Sequence, residues 1–315
     1  MNPYEGNVWR PVRTYSIVSH ADNFLADSLS RNMREQQREL MGQGMSPLTR
    51  EIQEHYFQGH EQERLSNNEG ELERLRTQTI LSRFLPAPPA VLLDVGGGAG
   101  IHAFALAERG YDVHLIDPIE LHLKQAREHS DKALVKLASI TLGDACDLGV
   151  ASGTIDSVLL LGPLYHLVES SQRLKALGEA YRVLREGGIL FAAAISRFAS
   201  LLDGLAGNHF RDAAFREIVA ADLATGQHRN PTGHPAYFTS AFFHRPEDLV
   251  REVGEAGFKA PQVLAIEGPV WSAVHFRETW SVPEQSEKLM HFLSLIEAEP
   301  SILGASAHLL AVAHR

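Results

Sequence analysis

From Ala90 to the C-terminus, short apolar runs alternate with helix-forming stretches. This alternation constrains the fold more than any other feature of the chain. The runs are AVLLDV (90–95), YDVHLID (111–117), SITLGDA (139–145), IDSVLLL (155–161) and GGILFAAAIS (187–196). Between them lie IHAFALAER (101–109), LHLKQAREHS (121–130) and SQRLKALGEAYRVLRE (171–186), each with helical spacing of its apolar residues. A strand apolar on both faces has to be covered on both faces. The pattern therefore predicts an α/β fold with a Rossmann-like, mostly parallel sheet and helices on either side.

The same reading divides the chain. Residues 1–48 form an N-terminal arm, with a polar helix expected over 21–41 that ends at Gly42, Gly44 and Pro47. Residues 49–89 are a helical segment that Pro86, Pro88 and Pro89 close. The core runs over 90–196. It is interrupted by 197–245, resumes over 246–315, and is interrupted again by 269–304. Both interruptions follow late strands. Ligands of open α/β sheets bind beyond the carboxyl ends of the strands, so both are expected to be cap elements over a cleft.

The turn after the first strand is the strongest local signal. In VLLDVGGGAG, residues 91–100, a buried strand runs into Gly96, Gly97, Gly98 and Gly100, and a helix follows. Glycines there let a ligand approach the main chain closely. A dinucleotide fingerprint would carry Gly or Ala at the sixth position of the motif, which here is Ile101. The second strand ends in Asp117, and a carboxylate at that tip can hold both hydroxyls of a ribose. The third ends in Gly143-Asp144-Ala145, and the fourth in Leu161-Gly162-Pro163, followed by Tyr165 and His166.

Composition narrows the classes of partner. The charge is −10, from 29 basic and 39 acidic residues, which argues against a nucleic-acid backbone as partner. Cys146 is the single cysteine, so there is no intrachain disulfide. No apolar run reaches the ~20 residues of a membrane span, and the first residues lack a secretory apolar region. The expectation is a soluble, cytoplasmic protein with no membrane partner, and a homodimer is left open.

The ordered acids Asp94, Asp117 and Asp144 around G-x-G-x-G resemble the motifs of class I S-adenosylmethionine-dependent methyltransferases. EAYRVLREGGILFAAAIS (179–196) and the closing AHLLAVAHR resemble later elements of that fold. Within it the chain is most similar to the small-molecule branch that includes ubiquinone/menaquinone-type methyltransferases. The resemblance covers roughly 90–196 and implies S-adenosylmethionine as cofactor and S-adenosylhomocysteine as product. It implies a cofactor site at Asp94, Gly96, Gly97, Gly98, Gly100, Asp117, Pro118, Asp144, Ala145 and Leu161. Helices before the first strand cover the cofactor in this superfamily, and Arg76 is assigned there to the methionine carboxylate.

The implied reaction is in-line transfer of methyl to oxygen, nitrogen or carbon of a small-molecule acceptor. His166 is the expected base with Tyr165 beside it, and Tyr237, His209, His228 and His244 are expected substrate contacts. The irregular spacing of the cap histidines gives no metal motif. The alternatives are a nucleotide-dependent oxidoreductase on the same sheet type and a regulator that binds S-adenosylmethionine without turnover.

Overall fold

The computed structural model describes residues 68–234 and 236–315. The arm over 1–48, its helix over 21–41 and the start of the 49–89 segment lie outside the described residues. The segment continues as α1 (Asn68–Phe84). Leu72, Arg76 and Ile80, spaced i, i+4, i+8, share its fully buried face.

The core elements follow in the predicted order. They are β1 (Val91–Val95), α2 (Ile101–Ala107), β2 (Asp112–Asp117), α3 (Glu120–Lys132), β3 (Ser139–Leu142), β4 (Ile155–Leu160), α4 (Pro163–His166), α5 (Ser170–Val183) and β5 (Leu184–Ser196). After them come α6 (Ala199–Ala206), α7 (Ala213–Thr225), β6 (Gln227–His228), β7 (Ala241–His244), α8 (Pro246–Glu255), β8 (Lys259–Ala265), α9 (Phe276–Trp280), α10 (Pro283–Ile296) and β9 (His308–His314).

The sheet order is β3-β2-β1-β4-β5-β7-β6, and β9 also pairs with β5 and carries β8 on its other side. Strands β1 to β5 and β7 pair in parallel. β9 runs antiparallel to both β5 and β8, so the start of β9 and the end of β8 come to the carboxyl edge of the parallel strands. One sequence-based expectation is refined here. Residues 197–245 are not only helices and a loop, because the β6–β7 hairpin inside them extends the sheet.

Period-two burial explains the two-faced core. Leu93, Val158, Leu160, Leu190 and Ala192 pack with Ala176, Leu177 and Ala180 of α5 and with Leu249 and Val253 of α8. Their strand neighbours Leu92, Leu159, Phe191 and Ala193 pack on the opposite face with Ile80 and Leu81 of α1 and Phe104 and Leu106 of α2. A strand whose successive side chains enter two different cores must be apolar throughout, which is the composition these runs have. Among the described residues no helix is long and apolar enough to cross a membrane.

The 269–304 segment, the second expected cap element, packs on α1. Phe276, Trp280 and Leu293 pack with Leu72 of α1, and Trp280 Nε1 donates to Glu71 at 3.0 Å.

Candidate cofactor and acceptor site

The glycine turn after β1 adopts a conformation that only its sequence permits. Gly96, Gly98 and Gly100 have φ of 67°, 59° and 86°, the left-handed region that side-chain-bearing residues avoid. Gly97 is constrained by space instead. A Cβ there would stand 2.5 Å from an Asp94 carboxylate oxygen and from Leu115 Cδ1.

Asp117 fastens this turn to the next unit. Its Oδ2 accepts the Gly98 N–H at 2.8 Å, and its Oδ1 accepts the Ile119 N–H at 2.9 Å. His122 Nδ1 lies 3.1 Å from the same Oδ1. At the next strand end, Asp144 Oδ1 accepts the Cys146 N–H at 2.7 Å. The Cys146 thiol is pushed up to about 12 by burial and then by the nearby Asp144 carboxylate, so it remains a thiol at neutral pH.

These strand ends open onto a cavity of about 420 Å³, within the usual range for small-ligand sites. Asp94, Gly96, Gly97, Gly98, Asp117, Pro118, Asp144, Ala145, Leu161, Tyr165 and His166 all line it, as the sequence places them. Gly100 does not. Its αL conformation caps the start of α2, and its Cα faces Phe104. Sequence reasoning missed Glu73 and Gln78 of α1, His102 of α2, and His122 and Gln125 of α3, which also line the cavity. His122 and Gln125 are three apart on a helix that begins at the tip of β2, and that spacing was a legible sign of a shared face.

Arg76 requires a correction. It is fully buried, its Nε donates to the Ile266 carbonyl at 2.9 Å, and its Nη2 pairs with Glu297 at 2.5 Å. It therefore ties α1 to the segment after β8 and does not reach the cavity. Arg74, turned roughly 200° from it on the helix, lines the cavity instead.

The four substrate histidine and tyrosine assignments also need correcting, because none of those side chains lines the cavity. His244 is completely buried, with Nε2 3.1 Å from Glu252, which Arg173 clamps through two bonds of 2.6 and 2.8 Å. Burial holds His244 below the usual imidazole range and thus neutral. His228 is buried with Nδ1 2.8 Å from Asp222, which also accepts the Ser200 hydroxyl at 2.6 Å. Tyr237 donates to Asp212 at 2.8 Å, and His209 packs at ring-centroid distances of 5.3 Å from Phe215 and 5.7 Å from Tyr237. Asp222, Glu252 and Asp212 hold His228, His244 and Tyr237, and aromatic rings flank His209, so all four side chains serve the packing in and around residues 197–245. Residues 197–245 touch the wall of the site through Phe238, whose ring centroid lies 5.9 Å from His166 and 6.4 Å from Tyr165.

Cavity charge is the deciding feature. Among the described residues, Glu73, Glu108, Asp94, Asp117 and Asp144 line it, with Arg74 the one lysine or arginine beside them. Neither oxygen of buried Asp94 has a hydrogen-bond partner of ordinary geometry. Burial, and then the Asp117 carboxylate, raise its pKa to about 7, while the Ala103 N–H pulls weakly the other way. A pocket with this charge is hostile to a pyrophosphate and suited to a cationic ligand.

Residues 93–192 match a family model described as a methyltransferase domain. Over this stretch the chain is similar to methyltransferase domains. Over 118 residues it is 33% identical to a ubiquinone biosynthesis O-methyltransferase of Methylocella silvestris, covering 36% of this chain and 44% of that one. Over 131 residues it is 31% identical to a ubiquinone/menaquinone biosynthesis C-methyltransferase of Cereibacter sphaeroides, covering 41% of this chain and 51% of that one. The chain thus spans about half the length of these curated relatives. In fold it is similar to an S-adenosylmethionine-dependent methyltransferase of Mesorhizobium loti. That likeness has a TM-score of 0.51 at 17% identity, over 76% of this chain and 98% of that one. The acidic, glycine-floored cavity lies inside the region that carries the family match, apart from the α1 side chains that close one side of it.

Proposed function

We propose that the protein transfers the methyl group of S-adenosylmethionine to a small-molecule acceptor in the cytoplasm. The observation that carries this reading is Asp94, a buried carboxylate that lines an acidic cavity and, among the described residues, has no hydrogen-bond partner of ordinary geometry. A buried charge needs a partner of opposite sign, and an α-ammonium group supplies one. When bound, S-adenosylmethionine supplies a methyl on a positively charged sulfur, open to in-line displacement.

The chain's own residues then have distinct roles. Asp117 holds the glycine turn in shape and offers its remaining lone pairs to ribose hydroxyls. Asp144, on the cavity wall, takes the adenine edge, and Arg74, which lines the same cavity, pairs with the methionine carboxylate. Tyr165 and His166, against Phe238, form the wall where an acceptor would enter. His166 is suited to accept the proton of an acceptor hydroxyl, since imidazole exchanges protons near neutral pH. The two relatives named above are an O-methyltransferase of ubiquinone biosynthesis and a C-methyltransferase of ubiquinone/menaquinone biosynthesis, which supports a small-molecule acceptor.

Calorimetry with S-adenosylhomocysteine, S-adenosylmethionine and NAD tests the reading. The first two should bind with one site each and NAD should not. Binding of NAD together with indifference to S-adenosylhomocysteine would falsify it.

A further inference from the structure

A second group of chemistry-bearing side chains lies at the edge of the same cavity, and methyl transfer as described does not use it. Glu73 of α1, Glu267 just after β8 and His308 at the start of β9 present one oxygen or nitrogen each, all within 4.8 Å of one another. The sequence separates them by 194 and 41 residues. They meet because antiparallel β9 begins, and β8 ends, at the carboxyl edge of the sheet, where α1 crosses.

We propose that Glu73, Glu267 and His308 form a binding site for a borderline divalent cation such as Zn²⁺ or Mn²⁺. The donor set is one imidazole nitrogen and two carboxylates, a combination that suits these ions and leaves further coordination positions for water or an acceptor oxygen. The spacing fits. Tetrahedral ligands about 2.0–2.2 Å from a metal stand roughly 3.3–3.5 Å from one another. His308 Nδ1 is 2.6 Å from Glu267 Oε1 and 3.8 Å from Glu73 Oε2, values that bracket this separation. The Glu267–His308 contact has to open by somewhat less than 1 Å and the Glu73 contact to close by a few tenths, changes within reach of side-chain rotation.

The surrounding shell is already built. Glu267 is almost completely buried, and its second oxygen accepts the Ser306 hydroxyl at 2.8 Å and the His308 N–H at 2.9 Å. Ser306 Oγ in turn accepts the N–H groups of Glu267 and Gly268 at 3.0 and 3.1 Å. These bonds fix the orientation of the carboxylate, as partners of metal ligands do. Since Glu73 also lines the cofactor cavity, the ion would stand at the cavity edge, where it could polarise an acceptor oxygen.

The test does not depend on methyl transfer. Protein stripped with EDTA and dialysed is titrated calorimetrically with ZnCl₂ and with MnCl₂. One equivalent of at least one ion should bind with micromolar or tighter affinity. Glu73→Gln and His308→Ala should each weaken that binding at least a hundredfold, while His275→Ala, at an exposed histidine away from the cluster, should leave it intact. Should His308→Ala fail to fold, Glu73→Gln decides alone, because its side chain lies at the helix surface. No saturable binding of either ion would show an ion cluster only and overturn the proposal. So would binding that persists unchanged in Glu73→Gln.

Discussion

The carboxylate of Asp117 accepts the main-chain N–H of Gly98 at 2.8 Å, so the tip of β2 holds the glycine turn that follows β1. The residue that the sequence marks for ribose is thus also a brace between two strand ends. Asp117→Ala should therefore have two effects. Loss of charge-assisted bonds to the ligand should weaken S-adenosylhomocysteine binding by about 2–4 kcal/mol. Loss of the buried acceptor for Gly98 and Ile119 should lower stability by roughly 1–3 kcal/mol. Calorimetry and chemical denaturation measure the two separately. An affinity loss with wholly unchanged stability would mean that the brace is unimportant.

Asp94 makes ligand affinity and apo stability respond to pH in opposite senses. Its pKa is raised to about 7, so the folded apo protein keeps a proton that the unfolded chain releases near 4. Apo stability should fall as pH rises through that interval, because the folded state binds more protons. Affinity for S-adenosylhomocysteine should instead rise with pH toward 7 and then level, as Asp94 becomes able to pair with an ammonium group. Asp94→Asn should flatten both profiles. The measurements are melting temperatures and dissociation constants between pH 5 and 8.

Arg76 and Glu297 predict a stability defect without a binding defect. Their 2.5 Å pair is buried, and Arg83 shares the same carboxylate. Glu297→Ala leaves the Arg76 charge uncompensated in the core, which costs on the order of 3–5 kcal/mol. Denaturant unfolding should show that loss, while the S-adenosylhomocysteine affinity of the remaining folded protein should stay within about threefold. A selective loss of affinity would return Arg76 to the cofactor.

Acid sensitivity should come from Glu252. Burial pushes its carboxyl up, but the Arg173 hydrogen bonds and the His244 contact prevail and hold it at about 2. A depressed carboxyl stabilises the fold above its unfolded range and loses that contribution as pH falls through the folded value. Roughly 3 kcal/mol should therefore disappear between about pH 4.5 and 2. Glu252→Gln should be less stable at pH 6, and the difference from the unaltered protein should shrink across that window.

Much of the fold was legible because its signals are local. Apolar runs of strand length, the glycines after Val95 and the acids at three successive strand ends each lie within a few residues of the structure they determine. Even Arg76 carried a local sign, since Leu72, Arg76 and Ile80 share the spacing of one buried helix face. The sequence by itself determined a parallel sheet whose carboxyl edge carries an acidic, glycine-floored cavity, because strand period and turn chemistry are short-range properties. Tertiary structure alone decided which partners the charged side chains found. His228 went to Asp222, His244 to Glu252, and Glu73 met Glu267 and His308. The last three are brought together by β9 running antiparallel beside β8. A hydrogen bond requires only proximity, and proximity between distant residues is a property of the folded chain that no spacing along the sequence records.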